Sequence, residues 1–281
     1  AYTVFGYLIT VLGLFFLSKI LFFFFLDKDK NDSKSKKDAF LFGSLTVLVS
    51  SISPWMWTFS RISYDSPFAL IFLVWGLCFF FKSEKISSFI AAAFLFSCAA
   101  YCYPPMRLQL PLLLAVCFIV RQYKMRVPLK FLFVFITILF LLNVPIILGI
   151  MKGSLQKRFD IISIFSKDFL LSQGKQGTFF EIAGIFLKNF FFHFHPKFLF
   201  LTGDNNYMNS TRFCGILSWV DILSLFFGII FLGRKIIFKK KNTLFLFKSV
   251  LFLLFLFVNI IIGVISSALT HEGLPHSLRI I

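Results

Sequence analysis

The chain alternates long apolar runs with short polar connectors. The runs fall at about 3–26, 39–56, 66–81, 86–103, 108–121, 128–150, 215–233 and 243–266. A helix needs about 20 apolar residues to cross a bilayer core, and these runs are near that length. The pattern predicts an all-α polytopic membrane protein with about eight transmembrane helices.

Alternating the spans sorts the connectors into two sets. One set is DKDKNDSKSKKD, KSEK, RQYKMRVPLK and RKIIFKKKN, and it holds 16 of the 29 Lys and Arg. Short basic connectors stay on the cytoplasmic side of a cell membrane. Lys19 and Lys248 lie inside spans near the same ends, where a long side chain can snorkel to the surface. The connector at 27–38 reads as a solvated loop. The other set, 57–65, about 104–107, 151–214 and 267–281, is expected outside the cell. The long outer loop 151–214 is too apolar for disorder, and long loops in a bundle carry function when they are ordered.

Within that loop, TFFEIAGIFLKNFF repeats with helical period. Phe179, Ile182, Phe186 and Phe190 share one face, flanked by Phe180, Leu187 and Phe191. Glu181, Gly184 and Lys188 lie opposite. This predicts an amphipathic helix lying in the membrane interface. The competing reading is a ninth span. It would reverse the sidedness of everything after it and put RKIIFKKKN outside, against the charge rule.

Composition refines this picture. The chain is 58% hydrophobic and only 15% charged, which excludes an ordinary soluble domain. The net charge of +17 would point to nucleic acid in a soluble domain. Here the cations border apolar runs, so they read as orientation signals and contacts to anionic headgroups. The 45 Phe read as core and lipid-facing residues. Cys78, Cys98, Cys102, Cys117 and Cys214 are odd in number and scattered, which argues against a disulfide framework.

The candidate chemistry gathers at the outer ends of the spans. Arg61 and Asp65 stand four apart in SRISYDSPF. On one helix they would share a face. Asp65 or Ser66 can also serve simply as an N-cap with Pro67 in the first turn. Tyr101, Tyr103 and Arg107 surround Pro104 and Pro105 at a sharp turn. An interfacial aromatic belt with a snorkelling Arg is the plain alternative. Arg212 lies in the outer loop, and Glu272, His276 and Arg279 follow the last span. Arginine suits a lipid-borne phosphate through its fixed fork of donors. His276 and the carboxylates are the groups able to act as bases near neutral pH. His193, His195 and Asp204 are weak metal candidates, because an H-x-H pair alone does not define a site. No metal is assigned; a divalent ion is the one cofactor considered.

The ordered segments ISPWMWTFSRISYDSPFALIFLVWGL, YCYPPMRLQLPLLL, KRFDIISIF, HFHPKFLFLTGD and ALTHEGLPHSLR carry a resemblance. In order and spacing they resemble bacterial membrane glycosyltransferases of the GT-C superfamily, the protein O-mannosyltransferase and aminoarabinose-transferase-like group. The resemblance covers residues 1–281, as part of one transmembrane glycosyltransferase domain. It implies inverting sugar transfer from a polyprenyl-phosphate carrier to a protein, lipid or cell-envelope glycan acceptor on the outer side. Arg61, Arg107, Arg212 and Arg279 would then serve the lipid phosphate or structural pairing, and Asp65 resembles the acidic residue opening the corresponding span. The family's catalytic carboxylate sits in a first outer loop, whereas this chain begins with what resembles a later span. The expectation is a fragment truncated at both ends, with no base to assign.

A transporter or flippase for a lipid-linked glycan is the alternative, as is another polytopic glycan polymerase or ligase. Transporters favour internal repeats and broken helices at the midplane. Here repeats are lacking and polar residues cluster at one face, which favours the enzyme. The sidedness is directly testable. A reporter fused after residue 241 is expected to read as cytoplasmic; an extracytoplasmic reading overturns the topology.

Overall fold

The computed structural model describes residues 2–26, 31–61, 65–82, 85–155, 157–204, 214–238, 243–271 and 274. The chain is all-α. The long helices are α1 (Tyr2–Leu26), α2 (Ser33–Ile52), α4 (Asp65–Lys82), α5 (Ile86–Cys102), α6 (Met106–Met125), α7 (Leu129–Met151), α11 (Trp219–Phe238) and α12 (Thr243–Ala268). Short helices α3 (Pro54–Arg61), α8 (Lys157–Ile162), α9 (Lys167–Ser172) and α10 (Phe179–Phe192) join them, with a π-helical turn at Lys197–Thr202. Each apolar run read from the sequence holds a helix, but 39–56 is broken at Ser53 between α2 and α3, and 215–218 precede α11. Among the described residues, five helices, α1, α4, α6, α7 and α12, are long and apolar enough to cross a membrane.

Local chemistry sets the boundaries. The basic segment 27–38 is not a plain loop: α2 starts at Ser33, six residues before the expected span. Asp32 accepts hydrogen bonds from the backbone of Lys34 and Ser35 at 3.2 and 3.0 Å, which nucleates the first turn. Arg121 is also corrected. The sequence pattern places it in the basic connector RQYKMRVPLK, but α6 runs on to Met125 and buries it to 1% exposure. Its guanidinium lies over Phe89 at 4.4 Å and Phe80 at 5.0 Å, so aromatic faces replace water around the charge.

The core is built mainly of phenylalanine. Phe80 of α4 meets Phe89 of α5, Phe118 of α6 and Phe135 of α7 edge-on, with centroids 5.8, 5.1 and 5.7 Å away. Such contacts add packing energy where lipid removes most of the hydrophobic drive. Gly76 lets α5 come close, since a Cβ there would lie 2.7 Å from Phe96. All five cysteines are free thiols, with Cys78 and Cys117 buried among the helices.

Outside the core, α1 exposes Val4, Phe5, Leu8, Leu12 and Phe16 at helical spacing, and α7 exposes Phe133, Ile136, Phe140 and Leu141. Stripes this apolar face lipid.

The contacts also order the helix ends. Phe24 and Phe25 of α1, Phe81 of α4 and Lys124 of α6 meet at one end. That end carries the basic connectors. The opposite end carries α3, the turn at Pro104 and the α8–α10 region. We expect Phe135→Ala to lower stability by about 3 kcal/mol, and Phe135→Leu by less. Thermal unfolding in detergent checks this; unchanged melting of the Ala variant would remove Phe135 from the structural core.

Candidate functional site at the end opposite the basic connectors

Two adjoining polar groups occupy this end of the bundle. The first lies where α4, α5 and α6 meet. Tyr101, in the last turn of α5, donates its hydroxyl to the Leu142 carbonyl of α7 at 2.8 Å. Pro145 disturbs that stretch of α7, and the hydroxyl serves a carbonyl there. Tyr103 ends α5, and Pro104 and Pro105 turn the chain into α6.

Arg107, in the first turn of α6, is half-buried and donates Nε–H to the Ala100 carbonyl at 3.2 Å. Tyr101 lies within its electrostatic reach. Among the described residues its terminal amino groups have no hydrogen-bond partner. Asp65 is the first residue of α4, is exposed, and lies within electrostatic reach of Cys102 at the end of α5. Neither Asp65 nor Ser66 forms a capping hydrogen bond among the described residues. Its charge still suits the positive end of the helix dipole. The structure thus brings Tyr101, Tyr103 and Arg107 to the turn between α5 and α6, with Asp65 at the start of α4 in electrostatic reach of Cys102. The side chain of Arg61 and all of Arg212, His276 and Arg279 lie outside the described residues.

The second group docks α10 onto the end of α12. Thr178 and Glu181 form a capping box that starts α10, with the Thr178 amide bonded to Glu181 Oε2 at 2.9 Å. Those bonds hold the Glu181 carboxyl below its usual range. At 14 residues, α10 reaches about 21 Å. That is short of a bilayer core.

Only part of the apolar face of α10 meets the protein. Ile182, Ile185, Asn189 and His193 turn inward, while Phe179, Phe180, Leu187 and Phe191 are exposed. Ile182, Phe186 and Phe190 are partly buried. The contacts that hold the inner side are polar. The last carbonyls of α12 need donors. Asn189 supplies them, bonding Ala268 and Thr270 carbonyls at 3.2 Å each. His193 Nδ1 bonds the Asn189 carbonyl and Nε2 bonds Ser267 Oγ, both at 2.7 Å. A carbonyl only accepts, so the neutral ring carries its proton on Nδ1 and accepts from Ser267 through Nε2. Next along α12, Gln109 of α6 donates to the Gly263 carbonyl at 3.2 Å and to Ser266.

These bonds decide what the histidines can do. Both nitrogens of His193 are engaged, and it is buried with Asp204 in electrostatic reach. His195 is exposed, and its Nδ1 accepts from the Lys197 amide at 3.2 Å. His193 and His195 therefore do not form one ligand face. Among the described residues, no three His, Cys, Asp or Glu side chains are grouped for a metal. Ser267 sits against an imidazole as an activated serine would, but it is fully buried, which leaves it a structural hydroxyl.

Gln109, Asn189, Ser266 and Ser267 were not singled out in the sequence. The available signal was a polar side chain inside an apolar run, which must find a partner.

Burial pushes the His193 imidazole below its ordinary value, against the opposing pull of the Asn189 carbonyl and Asp204. Undocked, the ring would take a proton near pH 6.5. Docked, it resists protonation, so docking weakens as pH falls from about 6.5 toward the lowered value. Amide protection across 179–192 is expected to drop as pH falls below about 6.5. In His193→Phe the protection should be lower but lose this pH response. A variant that keeps the response rejects His193 as its source.

No protein-family model, curated protein or solved structure matches the chain.

Proposed function

We propose that this chain transfers a sugar from a polyprenyl-phosphate carrier to an acceptor on the extracytoplasmic side of the cell membrane. The reading rests on the neighbouring ends of α4, α5 and α6, which we take as the mouth of a carrier site. There a half-buried Arg107 stands beside Tyr101, with Asp65 at the neighbouring helix end. An arginine kept at membrane depth needs an anionic partner or a water-filled site, and a lipid phosphate supplies the anion at that depth. The ordered sequence resemblance to GT-C glycosyltransferases supports the same chemistry.

In the reaction, an acceptor hydroxyl or amine attacks the anomeric carbon. The new glycosidic bond forms as the bond from that carbon to the phosphate oxygen breaks. The acceptor proton passes to a base, and the polyprenyl phosphate leaves with the electron pair. Negative charge grows on the departing phosphate, and in this proposal Arg107 meets it. The Tyr101 hydroxyl, held by α7, fixes the wall of the mouth. Tyr103 offers a ring to the sugar or lipid. The α10 helix, exposing Phe180, Leu187 and Phe191, rests at the membrane surface where the carrier headgroup lies.

Transfer from radiolabelled polyprenyl-phosphate sugars in membranes tests this. Arg107→Ala is expected to lower transfer by about 100-fold at intact expression, with partial retention in Arg107→Lys. Asp65→Asn should lower it less if the carboxylate only matches the helix dipole. Full transfer by Arg107→Ala would remove Arg107 from the site. Lipid flipping without sugar transfer would replace the enzyme by a transporter.

A further inference from the structure

The end of the bundle carrying the basic connectors holds a feature that the proposed transfer does not use. A cavity of about 490 Å³ opens between α1, α4 and α6. Lys19, Lys82 and Lys124 lie around it, one from each helix. Among the described residues lining it, none is acidic. Phe16, Phe23, Trp75 and Phe79 form much of its apolar wall.

Each lysine alone has a plain explanation. A cation near a helix C-terminus complements the dipole, and a long side chain snorkels to the surface. Lys19 Nζ lies 5.0 Å from the Phe15 ring centroid, and Lys124 Nζ lies 5.1 Å from that of Phe24. What those explanations leave over is the space between the three. Three cationic side chains, one from each helix, line one apolar cleft, and that pairing of charge with an oily wall fits an amphiphilic anion.

We propose that this cleft binds an anionic phospholipid of the adjacent leaflet, with the phosphate among Lys19, Lys82 and Lys124 and an acyl chain along α1. Its size suits a headgroup with the first segments of a chain. The wall also favours a lipid over free phosphate. Phe16 both lines the cleft and ends the lipid-facing stripe Val4, Leu8, Leu12 and Phe16 on α1. An acyl chain on that stripe leads its headgroup into the cleft. The site is at the opposite end of the bundle from the Arg107 mouth, so the two bind independently.

The test is lipid retention by the purified chain, read by native mass spectrometry after exchange into phosphatidylglycerol or phosphatidylcholine. One phosphatidylglycerol is expected to remain per chain, with no comparable phosphatidylcholine. Combining Lys19→Gln, Lys82→Gln and Lys124→Gln should cut retention by about tenfold or more. Combining Lys34→Gln, Lys36→Gln and Lys37→Gln, outside the cleft, should leave it unchanged. Equal loss in both sets would show a general surface attraction and overturn the site, as would full retention in the first. Inorganic phosphate should not displace the lipid; displacement would mean a free-anion site.

A second readout spares the lysines. With Trp55→Phe, Trp57→Phe and Trp219→Phe, only Trp75 fluoresces. Phosphatidylglycerol with brominated chains is then expected to quench it more strongly than brominated phosphatidylcholine. Equal quenching by the two overturns the proposal.

Discussion

A buried polar group in this bundle has no water to fall back on, so each must find its partner inside the protein. That constraint locates the helix contacts that matter. Asn143 of α7 donates to Ser97 Oγ of α5 at 2.8 Å and fixes those two helices in register. Gln109 ties α6 to α12, and Asn189 ties α10 to the end of α12. Phenylalanine packing around Phe80 and Phe135 supplies contact but tolerates sliding, because one ring edge fits many faces. The hydrogen bonds choose among those fits. With α12 fixed to α6 and α10 fixed to α12, the polar end of the bundle is assembled around α6.

The same constraint separates structural polar residues from those open to chemistry. His193, Ser267 and Asn189 satisfy one another and are buried, so they hold α10 in place. Arg107 is different: it is half-buried, and its main bond to Ala100 uses Nε alone. A docked α10 also keeps Phe180, Leu187 and Phe191 at the surface. The helix lock therefore serves the mouth indirectly, by setting where an amphiphilic carrier would rest.

How much was readable beforehand varied with the range of the interaction. The long helices were legible because apolar length is a local property: 128–150 became Leu129–Met151. The start of α2 was misread because a lysine cluster looks solvated, although Asp32 before Ser33 and Ser35 is a local cap signal. Arg121 was misplaced because its partners, Phe80 and Phe89, come from other helices and no local pattern announces them. The protein-facing side of α10 was illegible for the same reason: the partners of Asn189 and His193 lie 74 to 81 residues away. Tyr101, Tyr103 and Arg107 stand at one proline turn in the sequence and in the structure, because a sharp turn is a local property.

Helix α6 links the two ends. Arg107 opens it and Lys124 nearly closes it, 17 residues apart. At the rise of an α-helix this is about 26 Å, close to the thickness of a bilayer core. Between them Arg121 is buried against aromatic rings and contributes no open site. A single lipid headgroup cannot serve both ends of such a helix. An anion at the Arg107 mouth and an anion at the Lys19, Lys82 and Lys124 cleft must come from opposite leaflets. Under the proposed function the two sites would have different tasks. A carrier product would have to leave the mouth after each turnover, which suits one half-buried arginine. A lipid that seats the bundle in its own leaflet is best held by several lysines and an aromatic wall, and those are the groups that line the cleft.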